Sequence, residues 1–204
     1  MISASEAIVG VYERHAQAFD ARRGRTLFEK PWLDRFASLL SPGARILDLG
    51  CGTGEPIAHY LAGKGFSLTG VDSAPSMIAL CRARLPDQDW IVADMRTLAL
   101  GRGFDGILAW DSFFHLAFDD QRRMFEIFRE HSAPGAALLF TSGPAYGEAI
   151  GSFEGEPLYH ASLAPSEYES LLSAHGFQVA KHVAEDPDCG GHTIWLARLA
   201  AQLP

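Results

Sequence analysis

The sequence predicts an α/β protein built on a doubly wound, mostly parallel sheet with helices on both faces. Short apolar segments alternate with helical segments, and strands separated by helices imply a parallel sheet with right-handed crossovers. One apolar segment ends in Asp48 and passes into the turn Gly-Cys-Gly-Thr-Gly of residues 50–54. A second ends in Asp72, where the second strand of a β-α-β unit is expected to end. A carboxylate at that position accepts ribose hydroxyls, so the layout favours a nucleoside-binding protein.

The predicted elements follow one another with short connections. Two helices, over residues 4–20 and 29–40, precede the break at Ser41-Pro42-Gly43. Strands are then predicted at 44–49, 66–71, 89–92, 104–110 and 136–142, with helices at 54–63, 75–84 and 119–131 between them. After a helix over 165–175, the segments 177–184 and 192–199 form strands joined by a short Gly-rich link. Such a link is typical of a hairpin, so the last strand is expected to run antiparallel to its neighbour.

Residues 143–164 hold several Gly and Pro residues without clear periodicity, and we predict a loop there. This segment follows the fifth strand, at the edge where ligands bind in open α/β sheets. Long loops in compact domains are usually functional or disordered, and aromatic residues argue against disorder. The aromatic and polar residues of the segment are Tyr146, Glu148, Phe153, Glu154, Tyr159 and His160. We therefore expect one domain over 1–204, with an N-terminal helical cap over 1–41 and a substrate-rim loop over 143–164.

Composition and charge limit the classes of function. The chain has 204 residues, 48% of them hydrophobic, which suits one globular domain with a core. No apolar run has the ~20 residues that span a bilayer, and no signal peptide is visible, so we expect no membrane partner. Three cysteines without metal-ligand spacing indicate a reducing, cytoplasmic location and no metal site. With 25 acidic against 17 basic residues and a net charge of −8, a small-molecule partner is favoured over long nucleic acid.

The spacing of the glycines distinguishes between nucleoside ligands. The dinucleotide fingerprint is Gly-x-Gly-x-x-Gly, with its loop packed on a pyrophosphate. Here the third glycine comes one residue early, and Asp48 stands two residues before the first. A carboxylate at this position repels a pyrophosphate but suits a ligand with an ammonium or sulfonium group. A nicotinamide-dependent oxidoreductase is therefore disfavoured.

At these residues the sequence resembles the class I S-adenosylmethionine-dependent methyltransferases, whose first motif is an acid followed by Gly-x-Gly-x-Gly. Three further motifs occur in the family's order: Gly70-Val71-Asp72 with Met77 after it, Ala93-Asp94-Met95, and Phe104-Asp105-Gly106-Ile107-Leu108. The resemblance covers residues 44–142 well and the C-terminal part more loosely. It implies a Rossmann-like methyltransferase fold of seven strands with an antiparallel last strand. It also implies the cofactor S-adenosyl-L-methionine and the product S-adenosyl-L-homocysteine.

The resemblance gives roles to the residues around the glycine turn. Asp48 would orient the methionine amino group, and the backbone of Gly50, Cys51 and Gly52 would face the amino-acid portion. A helix is expected to begin near Gly54 and to present free N–H groups. Cys51 is interpreted as a small space-filling residue, since the turn has room for little else.

The resemblance also gives roles around the adenosine. Asp72 would accept the ribose hydroxyls, with Ser73 beside it, and Asp94 would accept from the adenine amino group. Met95 would pack on the adenine ring and Met77 would cover its other face. A core methionine at 77 and a helix-capping carboxylate at 94 are the alternatives.

The segment after the fourth strand, residues 108–115, is expected to face the transferred methyl group. Trp110 and the two phenylalanines that follow it either line the pocket or belong to the core. The residues with usable acid–base chemistry are His115, Asp111 and His160. His115 is the first candidate, because an ordinary histidine pKa near 6.5 suits a base at neutral pH; a structural histidine is the alternative. Side chains of the N-terminal helices, Tyr12, Phe19 and Trp32, either cover the cofactor or pack on the sheet.

The leading hypothesis is methyl transfer to an oxygen or nitrogen of a small molecule by in-line displacement, for which a general base is optional. The alternative is a non-catalytic protein that binds S-adenosylmethionine or S-adenosylhomocysteine, since a cofactor loop indicates binding and not turnover. Nucleic-acid methylation is disfavoured, because the segment after the fourth strand lacks the Asn/Asp-Pro-Pro-aromatic signature of enzymes that methylate base amines. The sequence predicts no particular acceptor or oligomeric state.

Overall fold

A computed structural model of the chain describes residues 3–200. Its nine strands are β1 Arg45–Leu49, β2 Ser67–Asp72, β3 Asp89–Val92, β4 Phe104–Ala109, β5 Ser132–Ser142, β6 Gly147–Phe153, β7 Glu156–Ser162, β8 Phe177–Asp186 and β9 His192–Leu199. Seven of them form one sheet in the order β3-β2-β1-β4-β5-β9-β8. The first five strands are parallel, and β9 lies between β5 and β8 and antiparallel to both. The predicted fold class, including the antiparallel last strand, is confirmed.

Helices cover both faces of the sheet. They are α1 Ala4–Arg22, α2 Lys30–Ser38, α3 Ile57–Gly63, α4 Pro75–Arg84, α5 Phe118–Glu130 and α6 Pro165–Ala174. Alternate residues of β1 belong to different cores, because successive strand side chains point to opposite faces. Leu47 packs in the core that holds Phe125 of α5, whereas Ile46 packs in the core that holds Phe36 of α2. Helix α3 begins three residues later than predicted, after Pro56.

The stretch 143–164 is not the loop that the sequence predicts. Strands β6 and β7 pair antiparallel as a separate two-stranded hairpin, with Phe153 opposite Glu156. Glu154 and Gly155 form its turn with φ of 52° and 81°, the left-handed conformation that two-residue hairpin turns require. Neither face of β6 is buried, so the strand shows no alternation of apolar and polar residues that could reveal it. Contact of this segment with substrate stays a prediction.

The two helices of the predicted N-terminal cap have different positions. Helix α1 packs against the hairpin through Ile8 and against α4 through Ala16. Helix α2 instead packs on the sheet, and its Trp32 is buried there, where its Nε1–H donates to Asp186 at 2.8 Å. Of these two helices, only α1 therefore covers the carboxyl edge of the sheet. Residues 1, 2 and 201–204 of the predicted domain lie outside the described residues, and over residues 3–200 no helix combines the length and apolar character that crossing a bilayer requires.

Salt bridges join α1 to the tip of the hairpin. Glu156 pairs with Arg14 and with His15, and Glu154 accepts from Arg22 at 2.8 Å. Phe153 lies beneath these ion pairs, with its ring centroid 6.2 Å from that of Tyr12. The hairpin and α1 thus form one cover over the ends of the parallel strands.

Candidate functional site

Two adjoining pockets lie under α1, at the carboxyl ends of the parallel strands. They share Tyr12, Phe19, Gly50, Gly52, Asp111 and His115. The first pocket is also lined by the predicted residues Asp72, Ser73, Met77, Asp94 and Met95. The second is also lined by Asp48, Cys51, Gly54, Trp110 and His160. The structure therefore brings together all the residues that the sequence predicts for cofactor binding and catalysis.

The glycine turn after β1 has the backbone that its sequence suggests. Gly50, Gly52 and Gly54 have φ of 73°, 54° and 77°, which side-chain-bearing residues rarely adopt. A Cβ on Gly50 would lie 2.2 Å from the Cβ of Ser112, which is closer than two carbon atoms can pack. The turn can therefore pass beside the segment that follows β4 only if residue 50 is glycine.

Asp72 connects the glycine turn to the segment before α4. Its Oδ2 accepts the Gly52 N–H at 3.0 Å, and its Oδ1 accepts the Ala74 N–H at 2.9 Å. Burial outweighs these hydrogen bonds and raises the pKa of the carboxyl to about 6. Each oxygen keeps a lone pair, so the carboxylate can also accept from a ligand in the first pocket.

Asp48 is a buried carboxylate without a protein partner. It is 4% exposed and lines the second pocket, and among the described residues none donates a hydrogen bond to its side chain. Burial, followed by the charge of Asp72, raises its pKa from 3.8 to about 7. A buried charge is normally paired, so this carboxylate fits a ligand that brings a cation or a hydrogen-bond donor.

Asp94 and Met77, the two residues predicted beside the adenine, also have the structural roles given above as alternatives. Asp94 caps the turn at Met95–Thr97 by accepting the Arg96 N–H at 2.9 Å, and it pairs with the Arg96 guanidinium at 2.6 Å. That ion pair and hydrogen bond hold its pKa below the ordinary value despite burial. Met77 is 1% exposed and packs against Ala16 and Ala74, so it is a core residue that also lines the first pocket.

Cys51 and the aromatic residues after β4 divide between core and pocket. Burial raises the pKa of the Cys51 thiol well above its ordinary value, which agrees with a space-filling role and not a nucleophilic one. Phe113 is fully buried in the core with α5, whereas Phe114 lines the second pocket. Trp110 is 4% exposed. It packs in the core that holds Phe36 and also lines the second pocket.

His115 is neutral, and its hydrogen bonds identify the tautomer. Its Nδ1 lies 2.7 Å from the carbonyl oxygen of Tyr159, which can only accept, so Nδ1 carries the proton. Its Nε2 therefore accepts the hydroxyl of Tyr12, at 2.9 Å. Burial lowers the pKa of His115 to about 4, below the ordinary value near 6.5 that the sequence alone predicts. His160, with its ring centroid 4.8 Å from that of His115, also has a pKa lowered by burial.

Asp111 pairs with His192, which is not among the site residues predicted from the sequence. Asp111 has a φ of 50°, and its Oδ1 lies 3.0 Å from Nε2 of His192. The Nδ1 of His192 lies 2.7 Å from the carbonyl oxygen of Cys189, so both ring nitrogens face acceptors. The hydrogen bond to Asp111 accordingly raises the pKa of His192, which favours the imidazolium.

One sequence signal could have located His192. An antiparallel strand begins at the edge where its parallel neighbours end, and His192 is the first residue of β9. Arg23, Arg96 and Ser112 also line the pockets, and no sequence signal indicates them. Within residues 3–200, no group of three or more His, Cys, Asp or Glu side chains is arranged to hold a metal ion.

Comparisons with known proteins agree with this fold. Residues 46–135 match the family model described as a methyltransferase domain. The chain is 34% identical over 130 residues to the magnesium-protoporphyrin O-methyltransferase of Rhodobacter capsulatus, a match that covers 60% of this chain and 55% of that one. The chain spans 55%, 38% and 26% of the lengths of three of the curated relatives that it matches.

Solved structures resemble the chain over nearly its whole length. The CcbJ methyltransferase from Streptomyces caelestis is 19% identical with a TM-score of 0.75, and the match covers 94% of this chain and 98% of that one. The 1,6-didemethyltoxoflavin-N1-methyltransferase of Burkholderia thailandensis is 19% identical with a TM-score of 0.73, and the match covers 98% and 92%. At these identities the likeness shows the fold, which is the Rossmann-like methyltransferase fold. Together with the match of residues 46–135 to a methyltransferase domain, this fold supports a class I S-adenosylmethionine-dependent methyltransferase.

Proposed function

We propose that the protein transfers a methyl group from S-adenosylmethionine to an oxygen or nitrogen of a small molecule. The observation that carries this proposal is the carboxylate of Asp48, which is buried without a partner from residues 3–200 and lies beside a glycine turn that Asp72 holds in place. When bound, S-adenosylmethionine supplies an electrophilic methyl group on a sulfonium. Its amino-acid portion carries the ammonium that Asp48 lacks, and its ribose carries two hydroxyls for Asp72.

The remaining side chains of the two pockets have complementary tasks. Met95 and Met77 offer apolar surface to the adenine in the first pocket, and Asp94 keeps an acceptor beside them. Trp110 presents an aromatic ring in the second pocket, and such rings attract cations. The cover of α1 and the hairpin excludes water and holds the acceptor near the methyl group. Proximity and alignment of this kind supply ~7–11 kcal/mol of the barrier reduction.

The activities for which similar proteins are named support oxygen or nitrogen as the accepting atom. One relative is named as an O-methyltransferase and one structural neighbour as an N1-methyltransferase, and both names refer to small molecules. A small-molecule acceptor also agrees with the net charge of −8, which opposes binding of long nucleic acid. Cys51, Cys81 and Cys189 are free thiols, which supports the proposed cytoplasmic location.

Calorimetric titration with S-adenosylmethionine, S-adenosylhomocysteine and NAD tests the proposal. We expect binding of the first two and none of NAD. Binding of NAD alone would overturn the assignment of the glycine turn. Transfer of a labelled methyl group to an acceptor would then separate an enzyme from the alternative, a non-catalytic binding protein.

Replacement of Asp72 by Ala is expected to weaken binding of S-adenosylhomocysteine about 10- to 100-fold. The change removes charge-assisted hydrogen bonds worth ~1.5–3 kcal/mol each, part of which water replaces. It also leaves the Gly52 N–H without its acceptor. Asp105→Ala is the matched control, since Asp105 also accepts a backbone N–H, from Arg45 at 2.8 Å, and does not line either pocket. Equal affinities in the two variants would contradict the ribose assignment.

A further inference from the structure

Tyr12 and His115 form a hydrogen-bonded pair at the junction of the two pockets. They come from α1 and from the short helical turn after β4, and both side chains line both pockets. The Tyr12 hydroxyl lies 2.9 Å from Nε2 of His115, and the Tyr159 carbonyl of β7 lies on the opposite side of the ring. Three separate segments of the chain therefore hold one side-chain pair against the space where an acceptor would lie.

Before any substrate binds, the Tyr12–His115 pair has one unprotonated atom, Nε2 of His115, that can take up a proton. Because Nδ1 of His115 donates to the Tyr159 carbonyl, Nε2 is unprotonated and accepts the Tyr12 proton. Burial raises the pKa of Tyr12, so the phenol keeps its proton and is not a base by itself. A proton given to the Tyr12 oxygen can leave only if the phenol proton moves to Nε2.

We propose that Tyr12 is the catalytic residue that contacts the acceptor, that His115 receives the proton through it, and that the acceptor is a neutral hydroxyl compound, an alcohol or a phenol. This proposal rests on the proposed methyl transfer. The acceptor O–H bond breaks as its oxygen bonds to the methyl carbon, and the electron pair of the broken S–C bond stays on sulfur. The acceptor proton passes to the Tyr12 oxygen while the Tyr12 proton passes to Nε2 of His115, which becomes an imidazolium.

The number of buried charges does not change in this transfer. His115 gains a positive charge as the sulfonium loses its own, so no additional ion has to be desolvated. The negative charge of Asp111 favours protonated His115, in opposition to burial. Charge taken from water into a protein interior costs several kcal/mol, and a path that conserves the charge avoids that cost.

The other charges of the pockets favour a neutral acceptor over a carboxylate. The two arginines that line the pockets within residues 3–200 already have carboxylate partners, Glu29 for Arg23 and Asp94 for Arg96, and His192 is hydrogen-bonded to Asp111. An anionic acceptor would have to compete with these partners. A hydroxyl needs only a hydrogen-bond acceptor, and the Tyr12 oxygen is one.

The first test does not depend on methyl-transfer activity. In protein with ¹⁵N-labelled histidine and without cofactor, NMR at pH 7 is expected to show His115 protonated at Nδ1 only. Tyr12→Phe keeps the ring packing on Phe19 and Phe153 but removes the donor to Nε2. We therefore expect the Nε2 resonance to shift and the pKa of His115 to rise in this variant, because the lost hydrogen bond favoured the neutral ring. A proton on Nε2, or an unchanged Nε2 resonance, would overturn the proposal.

The second test measures transfer from S-adenosylmethionine to a panel of simple phenols and alcohols, with benzoates as the carboxylate comparison. We expect transfer to hydroxyls, and kcat lowered at least about a hundredfold in Tyr12→Phe and in His115→Asn, which keeps a donor for the Tyr159 carbonyl but takes no proton. Affinity for S-adenosylhomocysteine should stay within about threefold of wild type. Tyr60→Phe is the control, because the Tyr60 hydroxyl also donates to another side chain, that of Asp34, but lines neither pocket. Transfer to benzoates only, or full activity of Tyr12→Phe, would overturn the proposal.

The two proposals fail differently. If NMR shows that Nδ1 of His115 carries no proton while S-adenosylhomocysteine still binds, the proton path is refuted and the proposed methyl transfer is unaffected. Failure of the protein to bind S-adenosylmethionine and S-adenosylhomocysteine would refute the proposed function, whatever the tautomer of His115.

Discussion

Replacement of Asp48 by Asn is expected to weaken binding of S-adenosylmethionine at least about a hundredfold at pH 8. The wild-type carboxylate is 4% exposed and has no partner among the described residues, so an ammonium placed beside it forms a fully desolvated ion pair. Hydrogen bonds to charged groups contribute ~1.5–3 kcal/mol, and the Coulomb attraction of a buried pair adds to them. The amide of Asn keeps the shape and an acceptor oxygen but loses the charge. Titration calorimetry measures the difference directly.

The same substitution is expected to stabilise the unliganded protein at alkaline pH. The pKa of Asp48 is raised from 3.8 to about 7, so the carboxyl contributes stability fully below pH ~4 and loses that contribution as pH rises through about 7. The increase corresponds to at most ~4 kcal/mol at about 1.36 kcal/mol per pKa unit. Because an unpaired amide also costs free energy to bury, we expect Asp48→Asn to gain about 1–2 kcal/mol over wild type between pH 4 and pH 8.

Urea denaturation at the two pH values measures this gain. Asp119→Asn is the matched control, because the side chain of Asp119 is 79% exposed and its loss should change neither binding nor the pH dependence of stability. Wild-type affinity for the cofactor should also fall between pH 7 and pH 5, as Asp48 and Asp72 take up protons. A destabilised Asp48→Asn variant with normal affinity would show that the carboxylate has a structural role and no ligand.

Replacement of Gly50 by Ala is expected to abolish cofactor binding and to lower the free energy of unfolding by about 2–4 kcal/mol. A left-handed backbone costs a non-glycine residue ~1–2 kcal/mol, and overpacking a buried site adds ~1–3 kcal/mol. The new Cβ would lie 2.2 Å from the Cβ of Ser112, which is held by a 2.6 Å hydrogen bond from its Oγ to the Leu49 carbonyl. The turn must therefore move, and with it the backbone that faces the ligand.

Two companion variants separate the causes of this effect. Gly65 has a φ of 87° with nothing within 4 Å of a Cβ, so Gly65→Ala introduces backbone strain without a collision and should leave binding intact. Ser112→Gly removes the atom with which the new Cβ collides, and the double variant Gly50→Ala with Ser112→Gly should recover part of the binding. Normal binding by Gly50→Ala alone would mean that the turn does not face the cofactor.

The parts of the site that the sequence predicts well are those with local causes. Asp48, the glycine turn and Asp72 can be located because a strand end, a positive φ and a short spacing each produce a recognisable residue pattern within a few positions. The hairpin of β6 and β7 has no such local residue pattern. Strand β6 contains two glycines, Gly147 and Gly151, and buries neither face, so its pattern resembles that of a loop.

The electrostatics of the site could not be predicted, because they depend on residues far apart in the chain. The pKa of His115 near 4 results from burial beneath α1 and β7, which lie on either side of it in the sequence. The raised pKa of His192 depends on Asp111, 81 residues earlier. Both pKa shifts follow from the fold, whereas composition and spacing predict only the ordinary pKa of an isolated histidine.

The ion pairs between α1 and the hairpin also bear on how such a protein can diversify. Glu154 and Glu156 are joined to Arg14, His15 and Arg22, so the cover contacts itself as well as the sheet. Both of its parts lie outside the seven-stranded sheet, whose strands are paired without them. Substitutions in these two segments can therefore reshape the space above the cofactor while the sheet and the glycine turn stay constant. The sheet with its glycine turn and the two segments that cover it can therefore change independently of each other.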